Sequence, residues 1–308
     1  MKLVTYKEKE ESQVGIFREN EKVILPIQSF GTEFLGMTMQ EIVKKLTNEK
    51  VKWLEQEIEA KKKTGEFKKI QIPYEKDRLL APILVPDQDV ICVGVNYPMH
   101  AEEAVKMDKE ESEEKYKESA KEDRCIYFAK RVNAFVAPEG KILSHKDMVS
   151  DLDYEAELCV IIGKDAYQVK KEDVLDYIFG YTILNDVSAR TIQMERSQWY
   201  FGKSLDGFTP LGPWIVTKDE IAYPPKQEIS CLINGEVRQK DNTGNMIHNL
   251  ANIIEDLSRG MTLKAGTLIA TGTPAGVGGG MEPPQYLHSG DIVECKIEGI
   301  GTLRNVVE

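Results

Sequence analysis

The sequence predicts an α+β fold rich in β-strands, with a small N-terminal α/β domain in front of a larger β-rich domain. Residues 1–37 alternate in short apolar pieces separated by charged turns, and a helical pattern follows over residues 39–63. From residue 89 onward, many short apolar runs are interrupted by glycine and proline. This second pattern favours a β-rich fold over a doubly wound parallel sheet.

The N-terminal segment predicts three strands, LVTY, QVGIF and KVILPI, followed by one interrupted helical region over residues 39–63. Thr38 and Glu41 have the spacing of a capping box, which marks the start of a helix. The apolar residues after them recur at roughly helical spacing: Ile42, Leu46, Val51, Leu54 and Ile58.

A boundary between the two domains is predicted near residue 80. A lysine run at 61–63 and turn-rich residues 64–76 lead to LLAPILVP at 79–86, which is typical of a crossover. A chain of 308 residues is long enough for one large domain with a smaller one attached. We therefore expect an N-terminal domain of residues 1–80 and a catalytic domain of residues 81–308.

Composition argues against two classes of partner. The net charge is −11 with 30% charged residues, which argues against nucleic acid or an anionic membrane as the main partner, since both require a basic face. The start of the chain, MKLVTYKEKEESQ, becomes polar at once, and no run approaches the ~20 apolar residues of a membrane span. We therefore expect neither export nor membrane insertion, and a cytoplasmic location.

The cysteines do not indicate a disulfide or a zinc site. They are odd in number and form no CxxC pair: Cys92, Cys125, Cys159, Cys231 and Cys295. All except Cys125 lie within strand-like apolar segments, where reduced core thiols are usual.

Two later segments stand out from the strand pattern. Residues 101–124 are charged almost throughout, which is typical of a solvated helix or a disordered loop; the alternative is a lid, because the segment follows candidate catalytic residues. Residues 246–258 place apolar side chains on one helical face and end before Gly260. The apolar residues of that face are Ile247, Leu250, Ile253, Ile254 and Leu257.

The stretch DLDYEAELCVIIG at 151–163 places Glu155 and Glu157 inside what otherwise resembles a buried, β-branched strand. Side chains at i and i+2 of a strand share a face and lie about 6.6 Å apart along it. Because an unpaired buried charge is costly, we expect a cationic group beside these two acids.

A third acid, Asp186, follows the apolar strand predicted within GYTILNDVSAR at 180–190. Together with Glu155 and Glu157 it would complete a three-carboxylate site for a hard divalent cation. Oxygen ligands with no histidine or cysteine nearby favour Mg²⁺ or Mn²⁺, with Ca²⁺ also compatible, over Zn²⁺. Two alternatives remain: Asp186 is a helix N-cap, or lysine and arginine neutralise the acids.

Other polar residues could act on a substrate. His100 and Glu103 form an H-x-x-E pair spaced to face each other on a helical turn, although such a pair alone is more often accidental. Arg190 and Gln193 lie three apart on the helix predicted after Asp186. An arginine there could anchor a carboxylate, or form an ordinary surface ion pair.

The glycine-rich stretch ATGTPAGVGGG at 270–280 does not indicate nucleotide binding, because it lacks both G-K-[ST] and G-x-G-x-x-G. We expect it to bring backbone amides and the hydroxyl of Thr271 or Thr273 close to an anionic ligand. Lys203, in FGKSLDGF, is predicted in a turn, and Trp199 just before it could line the same pocket.

Six segments occur in an order that resembles the fumarylacetoacetate hydrolase family. They are VGVNYPMHAEE, DYEAELCVIIGKDA, GYTILNDVSARTIQ, FGKSLDGFTPLGPWIV, LINGEVRQKDNTGNMI and LSRGMTLKAGTLIATGTPAGVG. The resemblance covers nearly the whole chain from residue 89 to residue 308. The length is similar to that of the longer bacterial members, which include 2-keto-4-pentenoate hydratases and 2-hydroxyhepta-2,4-diene-1,7-dioate isomerases.

The resemblance implies a fold and a set of ligands. The fold would be a mixed β-sheet roll, usually assembled as a homodimer. Glu155, Glu157 and Asp186 would bind Mg²⁺ or Mn²⁺. His100 and Glu103 would form the catalytic pair, on a short helix that closes over the metal.

The resemblance also implies roles for two lysines. Lys203 would stabilise developing oxyanion charge beside the metal. Lys130, in YFAKRVNAF, resembles a family lysine at the mouth of the pocket and would contact substrate. The chain departs from the family pattern after Lys130, where Arg131-Val132 replaces two prolines.

These expectations combine into one hypothesis: a metal-dependent enzyme acting on a small anionic 2-oxo or β-diketo acid. A chelated 2-oxo group makes an enolate accessible, and His100 then activates water for C–C bond hydrolysis. The same site would serve isomerisation, hydration or oxaloacetate decarboxylation. A hypothesis of another class is a metal-stabilised binding protein without turnover.

Overall fold

The computed structural model describes residues 1–107 and 125–308. Residues 108–124 of the predicted lid lie outside this part, and residues 101–107 form the end of a helix. Within the described residues, no helix combines the length and the apolar character that crossing a bilayer requires.

The N-terminal elements match the predicted pattern. The first strands are β1 (Lys2–Glu8), β2 (Glu11–Arg18) and β3 (Val23–Pro26). The interrupted helical region consists of α1 (Met39–Lys45) and α2 (Asn48–Thr64), followed by the short α3 (Phe67–Ile70). The capping box is present, since the Thr38 side chain accepts from the Glu41 amide and the Glu41 carboxylate accepts from the Thr38 amide. A second cap at Thr47 starts α2, which explains the interruption.

The remaining elements are short. The later helices are α4 (Pro98–Met107), α5 (Val174–Tyr177), α6 (Arg190–Met194), α7 (Tyr200–Lys203) and α8 (Leu250–Ser258). The later strands are β4 (Ile72–Pro73), β5 (Val90–Gly94), β6 (Ile126–Lys130), β7 (Lys141–Ile142), β8 (Leu152–Asp153), β9 (Ala156–Ile162), β10 (Ile178–Asn185), β11 (Ser188–Ala189), β12 (Leu211–Thr217), β13 (Glu228–Ile233), β14 (Glu236–Asn242), β15 (Leu268–Ala270), β16 (Ile292–Ile297) and β17 (Gly301–Val307).

The helix predicted over residues 246–258 begins later than expected. Asn249 caps α8 by accepting a hydrogen bond from the Asn252 amide. Ile247, which was expected on the apolar face, lies before this cap and donates its amide to the Asn96 carbonyl instead. The prediction was wrong for these first residues because apolar spacing does not reveal where a cap interrupts it.

Strands of the described residues form three sheets. The largest has ten strands in the order β4-β3-β2-β1-β12-β10-β9-β15-β5-β6, a second has five in the order β14-β13-β16-β17-β7, and β8 pairs with β11. Strand β1 pairs with β12, with Leu3 opposite Ile215, so the large sheet runs continuously across the predicted boundary near residue 80. The division into residues 1–80 and 81–308 therefore stays a prediction.

Strand β9 is buried on both faces. Leu158 and Val160 pack into the core formed with β13 and β16 of the five-stranded sheet, whereas Cys159 and Ile161 pack with N-terminal residues such as Ile42. Covering both faces explains why this strand is a continuous apolar run. Cysteines on β5, β9, β13 and β16 are buried with free thiols, as predicted.

Pairing directions bring four chain segments to one end of the large sheet. Antiparallel pairing places Leu184, near the end of β10, opposite Glu157, near the start of β9. Ala270, at the end of β15, lies opposite Cys159 of β9 and pairs in parallel with Cys92 of β5. The residues after β5, β10 and β15 therefore meet the acidic start of β9.

Candidate metal centre and active site

The three predicted acids converge at this end of the sheet. Glu155 immediately precedes β9, Glu157 lies within it, and Asp186 immediately follows β10. The Asp186 amide donates to the Glu155 carbonyl at 2.9 Å, which joins the two segments. One carboxylate oxygen from each acid lies within 4.8 Å of the others, and all three side chains are buried.

Backbone and amide groups fix the two glutamates. The Gly272 amide donates to Glu157 Oε2 at 2.7 Å, and the Glu155 amide donates to Asn185 Oδ1 at 3.0 Å. Gly272 has a φ of +94°, and a Cβ there would lie 2.7 Å from the Asn96 Cβ. Only glycine lets the loop after β15 pass this close to Asn96 while its amide reaches Glu157.

Three buried cations contact the acids. Lys203 Nζ lies 2.8 Å from Glu155 Oε2 and 2.9 Å from Asp186 Oδ2, and so bridges them. Arg190 Nη1 lies 2.6 Å from Glu155 Oε1, and Lys130 Nζ lies 2.6 Å from Asp186 Oδ1. The three acids therefore converge, and lysine and arginine also pair with two of them, Glu155 and Asp186.

The N-cap alternative for Asp186 is wrong. Helix α6 begins at Arg190, and its N-cap position is occupied by Ala189 rather than by Asp186. The Asp186 carboxylate is instead shared between Lys130 and Lys203.

Electrostatics distinguish the two glutamates. Burial raises the pKa of Glu157 well above its ordinary range, and the neighbouring Asp186 and Glu155 charges raise it further. Burial also acts to raise the pKa of Glu155, but Lys203 and Arg190 outweigh it and lower the value to about 2. Glu155 is therefore held as a carboxylate by its two cations, whereas no lysine or arginine of the described residues forms an ion pair with Glu157.

A divalent cation fits this arrangement. The donors are carboxylate oxygens alone, which suit a hard cation. Each carboxylate offers about four lone-pair sites, so one that accepts an ammonium hydrogen bond can still ligate a metal. A cation would also offset the burial and the neighbouring negative charges that raise the pKa of Glu157. The buried triad is consistent with a divalent metal site, while Mg²⁺ or Mn²⁺ as its occupant stays a prediction.

Helix α4 carries His100 and Glu103, and His100 lines the same cavity as the two glutamates of the triad. His100 Nδ1 is 3.2 Å from Glu103 Oε2, so the two side chains face each other as the spacing predicted. The Gly276 amide donates to Glu103 Oε1 at 2.8 Å, which fixes the carboxylate from its other side.

One cavity of about 40 Å³ joins the two groups. The polar and charged side chains that line it all belong to predicted site residues: His100, Glu155, Glu157, Arg190, Gln193, Lys203 and Thr273. Phe128, Met194 and Trp199 belong to its apolar wall. At ~10–15 Å³ for each water, the space holds about three water molecules.

Lys130 does not lie at the pocket mouth, and that expectation was wrong. Its side chain is fully buried, and Nζ donates to the Val187 carbonyl at 2.9 Å as well as to Asp186. A lysine stem is long enough to turn inward and pair with a buried acid, which sequence position alone does not reveal. A role in substrate binding stays a prediction.

The surroundings of two other residues, Lys203 and Thr273, differ from those expected from the sequence. Lys203 ends the short helix α7 rather than lying in a turn. Thr273 lines the cavity, but its hydroxyl donates to the Ala156 carbonyl at 3.0 Å and accepts from Gln239 Nε2 at 2.7 Å. The Thr271 hydroxyl donates to the Leu158 carbonyl, so both threonine protons are engaged within the protein.

The sequence interpretation missed Asp153 and Gln239. Asp153 is fully buried and accepts from Arg190 Nε at 2.8 Å. Its signal was present, because Asp153 precedes Glu155 and Glu157 in the same every-second-residue series. Gln239 reaches the site from β14, and no local pattern marks it.

Comparison with known proteins identifies the family. Residues 89–308 match the family described as fumarylacetoacetate (FAA) hydrolase C-terminal. The chain belongs to the fumarylacetoacetate hydrolase family. It is an enzyme of that family with a buried acidic triad.

Members of the fumarylacetoacetate hydrolase family with different activities resemble the chain. Oxaloacetate tautomerase YisK of Bacillus subtilis is 40% identical over 248 residues, which is 80% of this chain and 79% of that protein. The solved fumarylacetoacetate hydrolase of Exiguobacterium antarcticum is 34% identical, with a TM-score of 0.77 over 100% of this chain and 99% of that one. A 2-hydroxyhepta-2,4-diene-1,7-dioate isomerase from Mycobacterium marinum is 30% identical, with a TM-score of 0.66 over 100% and 98%. These likenesses confirm the strand-rich α+β fold.

Proposed function

We propose that the chain is a metal-dependent tautomerase that interconverts the keto and enol forms of a small 2-oxo acid such as oxaloacetate. The observation that carries the proposal is the single cavity of about 40 Å³ lined by both the glutamates of the triad and His100. It is supported by 40% identity to an oxaloacetate tautomerase.

Glu155, Glu157 and Asp186 would hold the metal. When bound, a divalent cation supplies a Lewis acid that draws electron density from a 2-oxo group and acidifies the adjacent C–H bond. The side chains around the cavity then have to move one proton and hold the charge that develops.

His100 is the proposed base. A carboxylate facing Nδ1 holds a proton on that nitrogen, so Nε2 is the nitrogen that can accept another. Taking a proton from C3 and returning one to the 2-oxo oxygen converts the keto form into the enol. The exchange is balanced without water, an oxidant or a reductant.

Lys203 and Arg190 are proposed to receive the negative charge of the substrate. The Lys203 ammonium lines the cavity, where it would stabilise charge on the enol oxygen. Burial lowers the pKa of Lys203, but Asp186 and Glu155 outweigh it and the pKa is raised, which keeps the group cationic. Arg190 and Gln193 also line the cavity and are proposed to bind a substrate carboxylate.

The apolar wall limits the substrate on one side of the cavity. Phe128, Met194 and Trp199 form this wall, and their bulk restricts the size of the group that a substrate can carry there.

Hydrolysis of a C–C bond, the reaction favoured by the sequence, is the second candidate. The facing His100 and Glu103 side chains could activate water as well as remove a proton. Similarity to a solved fumarylacetoacetate hydrolase supports it. Isomerisation, hydration and decarboxylation use the same enol chemistry and differ in their products.

A product-resolved assay tests the proposal. Chelator-stripped protein receives Mg²⁺ or Mn²⁺, and the ultraviolet absorbance of enol oxaloacetate is followed against the same metal without protein. We expect faster approach to the keto–enol equilibrium, without release of pyruvate. Pyruvate release would identify a decarboxylase, and acetate from acetopyruvate with no effect on oxaloacetate would identify a hydrolase.

His100→Ala is the matched variant for this assay. Losing the base should lower turnover by about 10²–10⁴-fold, while Mn²⁺ affinity and the circular dichroism spectrum stay unchanged. A wild-type protein that binds Mn²⁺ but turns over none of these substrates would support the binding-protein hypothesis. The homodimer and the cytoplasmic location stay predictions.

A further inference from the structure

We propose that Asp153 is a positioning residue that couples the arginine of the site to the loop on which the His100 helix rests. The inference deepens the proposed function and rests on it only for its kinetic test.

Asp153 contacts two separate parts of the site. Oδ1 accepts from the Gly278 amide at 2.7 Å, and Oδ2 accepts from the Gly279 amide at 2.8 Å. Oδ2 also accepts from Arg190 Nε at 2.8 Å. A single fully buried carboxylate therefore fixes both the glycine loop and the guanidinium.

The glycine loop supports helix α4 directly. A Cβ at Gly279 would lie 2.7 Å from Met107 Cε, and a Cβ at Gly280 would lie 2.9 Å from Glu103 Cδ. The absence of side chains lets the helix rest on the backbone, and the Gly276 amide holds the Glu103 carboxylate. Moving this loop would therefore move the partner of His100.

On the other side, Asp153 sets the plane of the guanidinium. Nε is held by Asp153, and Nη1 is held by Glu155 at 2.6 Å and Gln193 at 3.1 Å. Nη2 is buried and has no hydrogen-bond partner within residues 1–107 and 125–308, and Arg190 lines the cavity. A planar group fixed at two nitrogens leaves the third directed to a ligand.

These contacts form a continuous path. It runs from Glu155 through Arg190 and Asp153 to Gly278 and Gly279. From there it reaches α4 by packing. A carboxylate bound at Nη2 would stabilise the arginine in the position that also orders the loop, so binding and the placement of His100 would be coupled through Asp153.

Asp153→Asn tests the coupling, with Asp151→Asn as the matched control. The Asp151 carboxylate accepts from the Thr191 amide at 2.7 Å and from its hydroxyl, and contacts neither the loop nor the guanidinium. Amide hydrogen exchange is measured with Mn²⁺, with and without oxalate, a two-carbon probe for the carboxylate end of a 2-oxo acid.

We expect oxalate to slow exchange over residues 98–107 and 276–280 in wild-type protein and in Asp151→Asn. In Asp153→Asn, exchange over both segments should be at least about tenfold faster and should no longer respond to oxalate. If the wild-type protein is active, Asp153→Asn should have a lower kcat and a higher KM. Its kcat/KM should fall by about 10–100-fold, as when a group that orients a metal ligand is lost. Unchanged exchange over residues 276–280 in a folded Asp153→Asn protein would overturn the proposal.

Arg190→Lys provides a second variant that leaves Asp153 in place. A lysine cannot contact Asp153 and Glu155 with two fixed nitrogens, so residues 276–280 should again exchange faster. Unchanged exchange in this variant would also count against the coupling. If wild-type protein turns over no 2-oxo acid, the proposed function fails, whereas the exchange comparison still decides the role of Asp153.

Discussion

Two isosteric substitutions, Glu155→Gln and Glu157→Gln, should have different effects on the stability of the metal-free protein. Glu155 pairs with Lys203 at 2.8 Å and Arg190 at 2.6 Å, whereas the Glu157 carboxylate accepts from the Gly272 amide. Glutamine keeps the shape and the acceptor oxygen in both cases. Only the first substitution therefore removes the counter-charge of buried cations.

The structure indicates the size of the difference. Removing one partner of a buried ion pair costs about 3–5 kcal/mol. The loss at Glu155 should lie near the lower end, about 3 kcal/mol, because Lys203 keeps Asp186 and Arg190 keeps Asp153. Glu157→Gln removes like-charge repulsion and keeps its hydrogen bond, so its cost should be below about 1 kcal/mol or of the opposite sign.

Guanidinium unfolding of chelator-stripped protein measures the stability, and calorimetric titration with Mn²⁺ measures the affinity. Both variants should bind Mn²⁺ more weakly by more than the ~10–100-fold that loss of an outer-shell partner causes. Equal destabilisation by the two substitutions would refute the charge assignment. Unaltered Mn²⁺ affinity in Glu157→Gln would refute the metal site itself.

Three further outcomes are expected. The lowered pKa of Glu155 means that its stabilisation is present above its ordinary value of 4.5 and is lost as pH falls toward about 2, so the stability gap to Glu155→Gln should shrink over that range in acid unfolding curves. Trp199→Ala should raise kcat/KM for bulkier 2-oxo acids by about 10-fold or more, because each methylene that a hydrophobic pocket accommodates is worth ~1–3 kcal/mol. Phe201→Ala, at an exposed position, should leave kcat/KM unchanged. Lys130→Met should lower the unfolding free energy of the metal-free protein by about 3–5 kcal/mol, because it leaves the charge of buried Asp186 without this partner. Added Mn²⁺ should reduce the difference in unfolding free energy between wild type and variant, since a metal would compensate that charge.

Much of the site could be predicted because its acids lie in, or directly beside, regular strands. Alternation between Glu155, just before β9, and Glu157, within it, placed the two acids on one face, and the end of β10 placed Asp186 beside them. Both depend on local periodicity, which a sequence displays directly. The strand pairing that completes the site is set by the fold and was supplied by family resemblance.

Other features could not be predicted because they depend on contacts between distant parts of the chain. Lys130 was expected at the pocket mouth but pairs with Asp186 in the interior. Asp153 stands in the same alternating series as the two glutamates, yet its partners Gly278 and Gly279 are more than a hundred residues away. Contacts of this range are created by the sheet order, and no local pattern encodes them.

The charges around the triad bear on whether the metal serves structure or chemistry. Asp153, Glu155, Glu157 and Asp186 are buried with three cations, so the cluster carries one excess negative charge when all groups are ionised. A divalent cation would reverse the sign and leave one excess positive charge. Buried lysine and arginine beside carboxylates weaken the attraction for a metal, and a purely structural ion site has no use for them. They are useful if an anion, such as a 2-oxo acid, must bind next to the metal. The arrangement therefore favours an enzyme site over a site for an ion that only stabilises the fold.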